Sequence, residues 1–473
     1  MAGTASVAGT AAAKALTALY VAAGSGGGTA DPVAARSQMG FSLGWHIILA
    51  CLGVGMPGLV LFAEWRGWRT GDPWYQLLAR RWARALGVLF AVGAVSGTIL
   101  SFEMGVLWSG LMDHYGSVIG LPFTIEGFAF FIEAIFLGIY LYGWDRLSPR
   151  VHLLSGVPIV VAGIASAFFV VTANAWMNDP RGFTVTRGRL TGVDPWAAMF
   201  NPATGPEATH LILAAFMVTG FLMASVYAVA MLRGRTDRYH RLGLLIPLTF
   251  GAIMTPIQIV VGDWAARAVA TSQPLKLAAM EGLYASGRHV PESIGGYFSG
   301  GKLHWALRLP DGLSLLLHLS PNGYVTGLQS APADDRPPLV TLVHLAFDTM
   351  VGLGVGLLLL GAWLALAWWR YREAPRSVWF LRATAVSGVA AVVAMESGWI
   401  VTEVGRQPWI VYGVLRVSDA VNPAPGLDWG LVAVVAVYAV LSVGCVYVLR
   451  RLARSRPVPV APQESDVTGY KVV

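Results

Sequence analysis

The sequence predicts an all-α polytopic membrane protein with about nine transmembrane helices, its N-terminus outside and its C-terminus cytoplasmic. Three observations predict it. Of 473 residues, 55% are apolar and only 12% charged, about half the charge fraction of a soluble globular chain. The apolar residues fall into nine long runs, each able to cross a hydrocarbon core of about 30 Å. Those runs are continuous rather than alternating, which excludes a β-barrel. The net charge of +7 sits in short loops between the runs, where topology accounts for it without a nucleic-acid partner. The two cysteines, Cys51 and Cys445, lie in separate apolar runs and do not suggest a structural disulfide.

Residues 1–35 are rich in Gly, Ala, Ser and Thr and read as an N-terminal extension, poorly ordered or interfacial. Six spans follow within 36–262, at about 40–63, 85–107, 122–143, 151–174, 208–232 and 241–262. Residues 263–340 form the one long connection. Three more spans, about 341–369, 379–403 and 428–450, lie within 341–452, and 453–473 is a cytoplasmic tail. Basic residues set the orientation. Arg66, Arg69, Arg80, Arg81 and Arg84, then Arg146 and Arg150, then Arg233, Arg235, Arg238 and Arg241, then Arg370, Arg372, Arg376 and Arg382, occupy alternate connections. Residues 108–121 carry no Lys or Arg, and 404–427 only Arg406 and Arg416. The basic loops are inside, so the long connection is outside. No internal repeat is evident, which counts against a secondary transporter.

The polar residues inside the spans carry the chemistry. His46, His210, Met350, Glu126, Glu133 and Glu403 all fall at or outside the bilayer midplane on this topology. Ionisable groups in a span are costly and mark functional paths. Alone, each is ordinary: a Met fills space, and a His hydrogen-bonds in a helix seam. Together, two His and a soft Met at similar depth suggest metal or haem ligation. His210 with Met350 would make a six-coordinate electron-transfer haem, and His46 and Glu403 would each leave an open position. Glu126 and Glu133, seven apart, share one helix face and form a carboxylate ladder suited to proton transfer. Glu103, at the end of span 2, is placed to join it. Between spans 8 and 9 lies a polar patch of Glu396, Trp399, Glu403, Arg406, Gln407 and Trp409. Arg406 can fork to a carboxylate or a haem propionate. In the long loop, Lys276 and Glu281 lie about 140° apart on a helix and could flank one pocket. His114, His152, His240, His304, His318 and His344 lie at helix ends or in loops and read as non-ligands.

Several stretches occur in order: Arg36-Ser-Gln-Met-Gly-Phe before His46; Pro122-Phe-Thr-Ile-Glu126-Gly continuing to Phe130-Phe-Ile-Glu133; Tyr142-Gly-Trp-Asp-Arg146-Leu; Ala173-Asn-Ala-Trp-Met-Asn-Asp-Pro180; and Gly405-Arg-Gln-Pro-Trp409. Over residues 36–450 the chain resembles subunit I of cytochrome bd-type quinol oxidases with a short Q-loop. The resemblance implies quinol oxidation outside, coupled to reduction of O2 to water with cytoplasmic protons. It implies His210 and Met350 on a low-spin haem b, His46 on the oxygen-reactive haem and Glu403 on the remaining high-spin haem b. The oxygen-reactive group is haem d, or a further haem b in its place. Glu126 and Glu133 match carboxylates at the oxygen site and its proton route, and Lys276 and Glu281 match quinol-binding residues. The implied partners are subunit II, a small single-span accessory subunit in some assemblies, membrane quinol and O2, in the bacterial cytoplasmic membrane. The chain departs from the pattern at Ser101, where a relative carries a carboxylate; at Arg84, for a lysine; and at Asp348, for an arginine. Two rival classes are a proton-coupled transporter using Glu126, Glu133 and Glu403, and an electron-transfer cytochrome that binds no O2.

Overall fold

The computed structural model describes residues 32–454 apart from 187–188, 376 and 423–426. Most of the N-terminal extension and nearly all of the C-terminal tail therefore lie outside the described residues. Nine described helices are long and apolar enough to cross a membrane: α1 (Pro32–Thr70), α2 (Pro73–Leu107), α3 (Ser109–Gly143), α4 (Pro149–Asn178), α5 (Thr204–Leu232), α6 (Arg238–Ser272), α7 (Val340–Tyr371), α8 (Val378–Gly405) and α9 (Leu427–Arg454). Their starts are set locally. The Asp72 side chain accepts the Trp74 N–H ahead of α2, Asp237 accepts the His240 N–H ahead of α6, and Ser377 accepts the Trp379 N–H ahead of α8. Each satisfies an amide that a helix start leaves unbonded.

The helices run past the apolar cores read from sequence. α1 begins at Pro32, inside the predicted extension, where a proline suits the first turn. Residues 109–121, read as a loop, are the first turns of α3. Leu111, Tyr115, Val118 and Ile119 are buried there against Trp176 and the 410–421 segment. α6 continues to Ser272, so the first ten residues assigned to the long loop are helix.

Helices α1–α4 form one group and α5–α8 another; α5 packs on α1 and α4, α8 also touches α1, and α9 lies on α1 and α2. Association in lipid relies on close packing of small residues, since the lipid is itself apolar. Gly220 shows why: a Cβ there would sit 2.7 Å from Gly251 N and Pro247 O on α6. The long connection is a folded cap. It contains a short helix Pro274–Met280, two antiparallel pairings (Glu292–Ile294 with Leu307–Leu309, Tyr297–Ser299 with Lys302–His304) and a helix Gly312–His318. Leu277, Val290, Leu313, Val325 and Leu328 pack on Val343 of α7 and Val404 of α8.

Candidate functional site

At the cap end of the bundle, the last turns of α4 and α8 meet the start of α5 and the short helix Pro274–Met280. Asn178, 1% exposed, is the hub. Its Oδ1 accepts from Lys276 Nζ (2.9 Å) and Arg406 Nη1 (3.0 Å). Its Nδ2 lies 2.8 Å from Glu207 Oε1 and 3.1 Å from Asn174 Oδ1. Glu403 accepts from Asn174 (2.6 Å) and from Arg406 Nη2 (2.7 Å). Gln407 Nε2 reaches the Glu403 carbonyl at 3.3 Å. The buried Lys276 and Arg406 thus share one network with the half-buried Glu207 and Glu403, and pairing is the condition under which such charges are tolerated. Burial, then the Arg406 charge, pushes Lys276 down to about 7.

The nitrogen and sulfur donors lie deeper. His46 Nδ1 is 2.7 Å from Ser96 Oγ, and that hydroxyl donates to the Gly93 carbonyl at 2.9 Å. The Ser96 oxygen therefore accepts from His46 Nδ1–H, and Nε2 keeps its lone pair. The ring faces Gly97, where a Cβ would lie 3.2 Å from Cε1. His210, on α5, turns toward Gly262 and Gln258 of α6, and its Nδ1 is buried with no partner. Met350, on α7, turns toward α8, its Sδ 2.8 Å from where a Cβ of Gly398 would be. The two sit on helices of one four-helix group but face different neighbours. Glu396 Oε1 and Trp399 Nε1 on α8 are likewise buried without partners, and Glu396 fills the space beside Gly44 of α1. Trp409 lies apart, in a short hairpin under the Arg416 guanidinium, 4.7 Å from its ring centroid.

Glu126 and Glu133 both face α4. Glu126 accepts from Ser166 at 2.9 Å, and Glu133, 6% exposed, lies against Gly163. Glu103 does not join this seam. It faces α1, accepting from Gln38 (3.0 Å) and Ser42 (2.8 Å). Lys276 and Glu281 turn to different immediate neighbours. The angle between them sends Lys276 to Asn178 and Glu281 to Glu292 and Asp348.

Sequence reasoning missed Asn174, Asn178 and Glu207. Their signal was present: Asn174 and Asn178 are four apart and share a face, and Glu207 is one turn before His210. His152, read as a helix-end non-ligand, lies in the first turn of α4 and is buried, with Nδ1 2.6 Å from Glu64 Oε1. Among the described residues no three His, Cys, Asp or Glu side chains are grouped to hold a bare metal ion.

A model of the cytochrome bd terminal oxidase subunit I family matches residues 34–457. A putative cytochrome bd menaquinol oxidase subunit I of Bacillus subtilis (strain 168) is 39% identical over 435 residues, covering 90% of this chain and 98% of that protein. The cytochrome bd ubiquinol oxidase subunit 1 of the same organism is 30% identical over 449 residues, covering 89% and 92%. The structure of bd oxidase from Geobacillus thermodenitrificans matches with a TM-score of 0.84 and 38% identity, over 89% of this chain and 98% of that one. By sequence, by helix count and by fold, this chain belongs to the cytochrome bd terminal oxidase subunit I family.

Proposed function

We propose that this chain is the haem-bearing subunit of a quinol:O2 oxidoreductase that oxidises quinol at its outer, cap-bearing face and reduces O2 to water with cytoplasmic protons. The observation that carries the reading is the state of the donors. His46 has its Nδ1 proton tied to Ser96 and its Nε2 lone pair bare, and it faces a glycine. His210, Glu396, Trp399 and the Nε of Arg406 each keep a buried polar atom without a partner. A buried orphan costs about 1–3 kcal/mol, and a bound group with an iron and carboxylate arms would relieve it. The donor set fits haem.

In this reading His210 and Met350 hold a low-spin haem b. His46 and Glu403 hold the two high-spin haems, one a haem b and the other haem d or a further haem b. Bound haem supplies one-electron transfer and, where an iron position is open, reduction of O2. Glu403 would keep a lone pair for iron, because each of its oxygens accepts only one hydrogen bond, from Asn174 and from Arg406. Arg406 would offer its unpartnered Nε to a propionate, with Gln407 and Trp409 bordering the same turn. Lys276 orients a quinol oxygen and Glu281 takes its proton. Glu126 and Glu133 deliver protons along the α3–α4 seam, and Glu103 steadies the α1–α2 contact beside it. Two quinols give four electrons and release four protons outside, while one O2 takes up those electrons and four cytoplasmic protons to become two waters. A second multi-span subunit, subunit II, covers apolar faces such as that of Phe128, Phe131 and Ile135, with room for a small accessory helix, in the bacterial cytoplasmic membrane.

The test is a reduced-minus-oxidised optical spectrum of the purified complex. A far-red chlorin band beside b-type bands assigns haem d. Only b-type bands, with a carbon monoxide shift, assign haem b at the oxygen site. Folded protein lacking haem would sink the reading.

A further inference from the structure

Around Glu281 the cap and α7 bury further titratable groups that the reading above leaves without a task. His344, 0% exposed, lies between two backbone carbonyls: Nδ1 is 2.7 Å from Met280 O and Nε2 is 3.0 Å from Gly295 O. Asp348 Oδ2 lies 3.5 Å from His344 Nε2 and accepts the Gly295 N–H at 2.6 Å. Glu281 and Glu292 remain, carboxyl hydrogen-bonded to carboxyl. Two ionised carboxylates have no donor between them, so this contact requires a shared proton. Each still keeps an Oε2 buried without a partner. Glu281 is 5% exposed, whereas Glu292, on the strand Glu292–Ile294, is nearer the surface.

We propose that Glu281 and Glu292 form one proton-sharing carboxyl dyad that receives the protons of quinol and passes them outward, with Glu292 as the relay through which they leave. The proposal rests on the reading of Glu281 as a quinol-site residue. At rest the dyad holds one proton and one negative charge. As a quinol O–H breaks, its proton goes to the free Oε2 of Glu281, and the dyad becomes neutral with two protons. The electrons leave for the oxidase's own acceptors, ending on O2. Glu292 releases one proton toward the cap surface, which restores the singly protonated dyad for the second O–H. The titratable groups that face the dyad are Asp348 and His344. Burial first, then the charges of Glu292 and Asp348, hold Glu281 well above the usual carboxylate range. Burial and Asp348 raise Glu292, which His344 partly offsets.

The experiment uses the purified complex with its partner subunit, in E281Q, E292Q and E292D forms. Quinol oxidation is measured against pH, alongside electron entry from an artificial donor that carries no proton. E292Q should lower quinol kcat about tenfold or more with KM within about twofold. The acid limb of its pH profile should move down by about one unit, because a negative neighbour is removed. The artificial-donor rate should hold, and E292D should recover most of the loss. In a reduced-minus-oxidised infrared spectrum, one protonated-carboxyl band should be lost in both E281Q and E292Q. Unshifted kcat and pH limb in E292Q, an equal fall with both donors, or a band lost in only one variant would each overturn the dyad. The Glu281 reading fails separately, if E281Q oxidises quinol at the wild-type rate.

Discussion

Gly398→Ala isolates the Met350 assignment with little risk to the fold. The added Cβ would sit 2.8 Å from Met350 Sδ, against an ordinary carbon contact of about 3.5–4.0 Å. The thioether therefore retreats by about 1 Å. Two terms act on stability. Alanine in a helix interior gains about 0.5–1 kcal/mol over glycine. Overpacking costs about 1–3 kcal/mol, at the low end here because a methionine with three rotatable bonds adapts. The net change is about 1 kcal/mol or less. A metal–ligand bond tolerates only about 0.2 Å, so the ligand is lost while the fold is kept. The assay is the reduced-minus-oxidised spectrum of the purified complex together with a thermal melt. The low-spin b-type band should fall, and carbon monoxide should bind a haem it previously ignored, with Tm within a few degrees. Gly356→Ala on α7, where a Cβ meets nothing within 4 Å, is the control and should leave the spectrum unchanged. A folded Gly398→Ala protein with a full low-spin band and no new carbon monoxide binding would remove Met350 from the ligand set.

Three further outcomes are expected. Asn178→Ala strips an acceptor from Lys276 and Arg406 and a donor from Glu207; at about 1–3 kcal/mol per orphan, a thermal melt in detergent should show a loss of about 3 kcal/mol or more, and an unchanged Tm would contradict the hub. Glu133→Gln should cut O2 uptake about a hundredfold while quinol still reduces the low-spin haem; wild-type uptake on an oxygen electrode would take Glu133 off the proton route. Lys276, held down to about 7, binds fewer protons folded than unfolded between there and the ordinary lysine value of about 10.4. Its contribution to stability therefore rises with pH across that window, and Lys276→Met should flatten that slope in a series of melts; an identical slope in both proteins would mean the lysine is charged when folded.

Much of the fold was legible because the bilayer sets a length and a polarity that each span has to meet. The same rule exposed His46, His210, Met350 and the carboxylates, since a span carries such residues only at a cost. What the rule does not encode is which neighbour each face meets. Glu103 and Glu126 read alike as carboxylates in the outer halves of adjacent spans. Yet α2 turns Glu103 onto Gln38 and Ser42 of α1, while α3 turns Glu126 onto Ser166 of α4. The pairing of Glu281 with Glu292 was hidden for a different reason. Their contact is made by a cap whose short strands carry no strong periodicity, so nothing in the sequence singles out Glu292. Asn178 was hidden by being uncharged, because the rule that marks costly ionisable groups in a span passes over a neutral amide. Its worth is that one amide accepts from two cations and donates to a carboxylate, a role that only the meeting of α4, α5, α8 and the short cap helix creates. Sequence thus located the groups whose burial is costly, and the structure identified the neutral groups that make their burial possible.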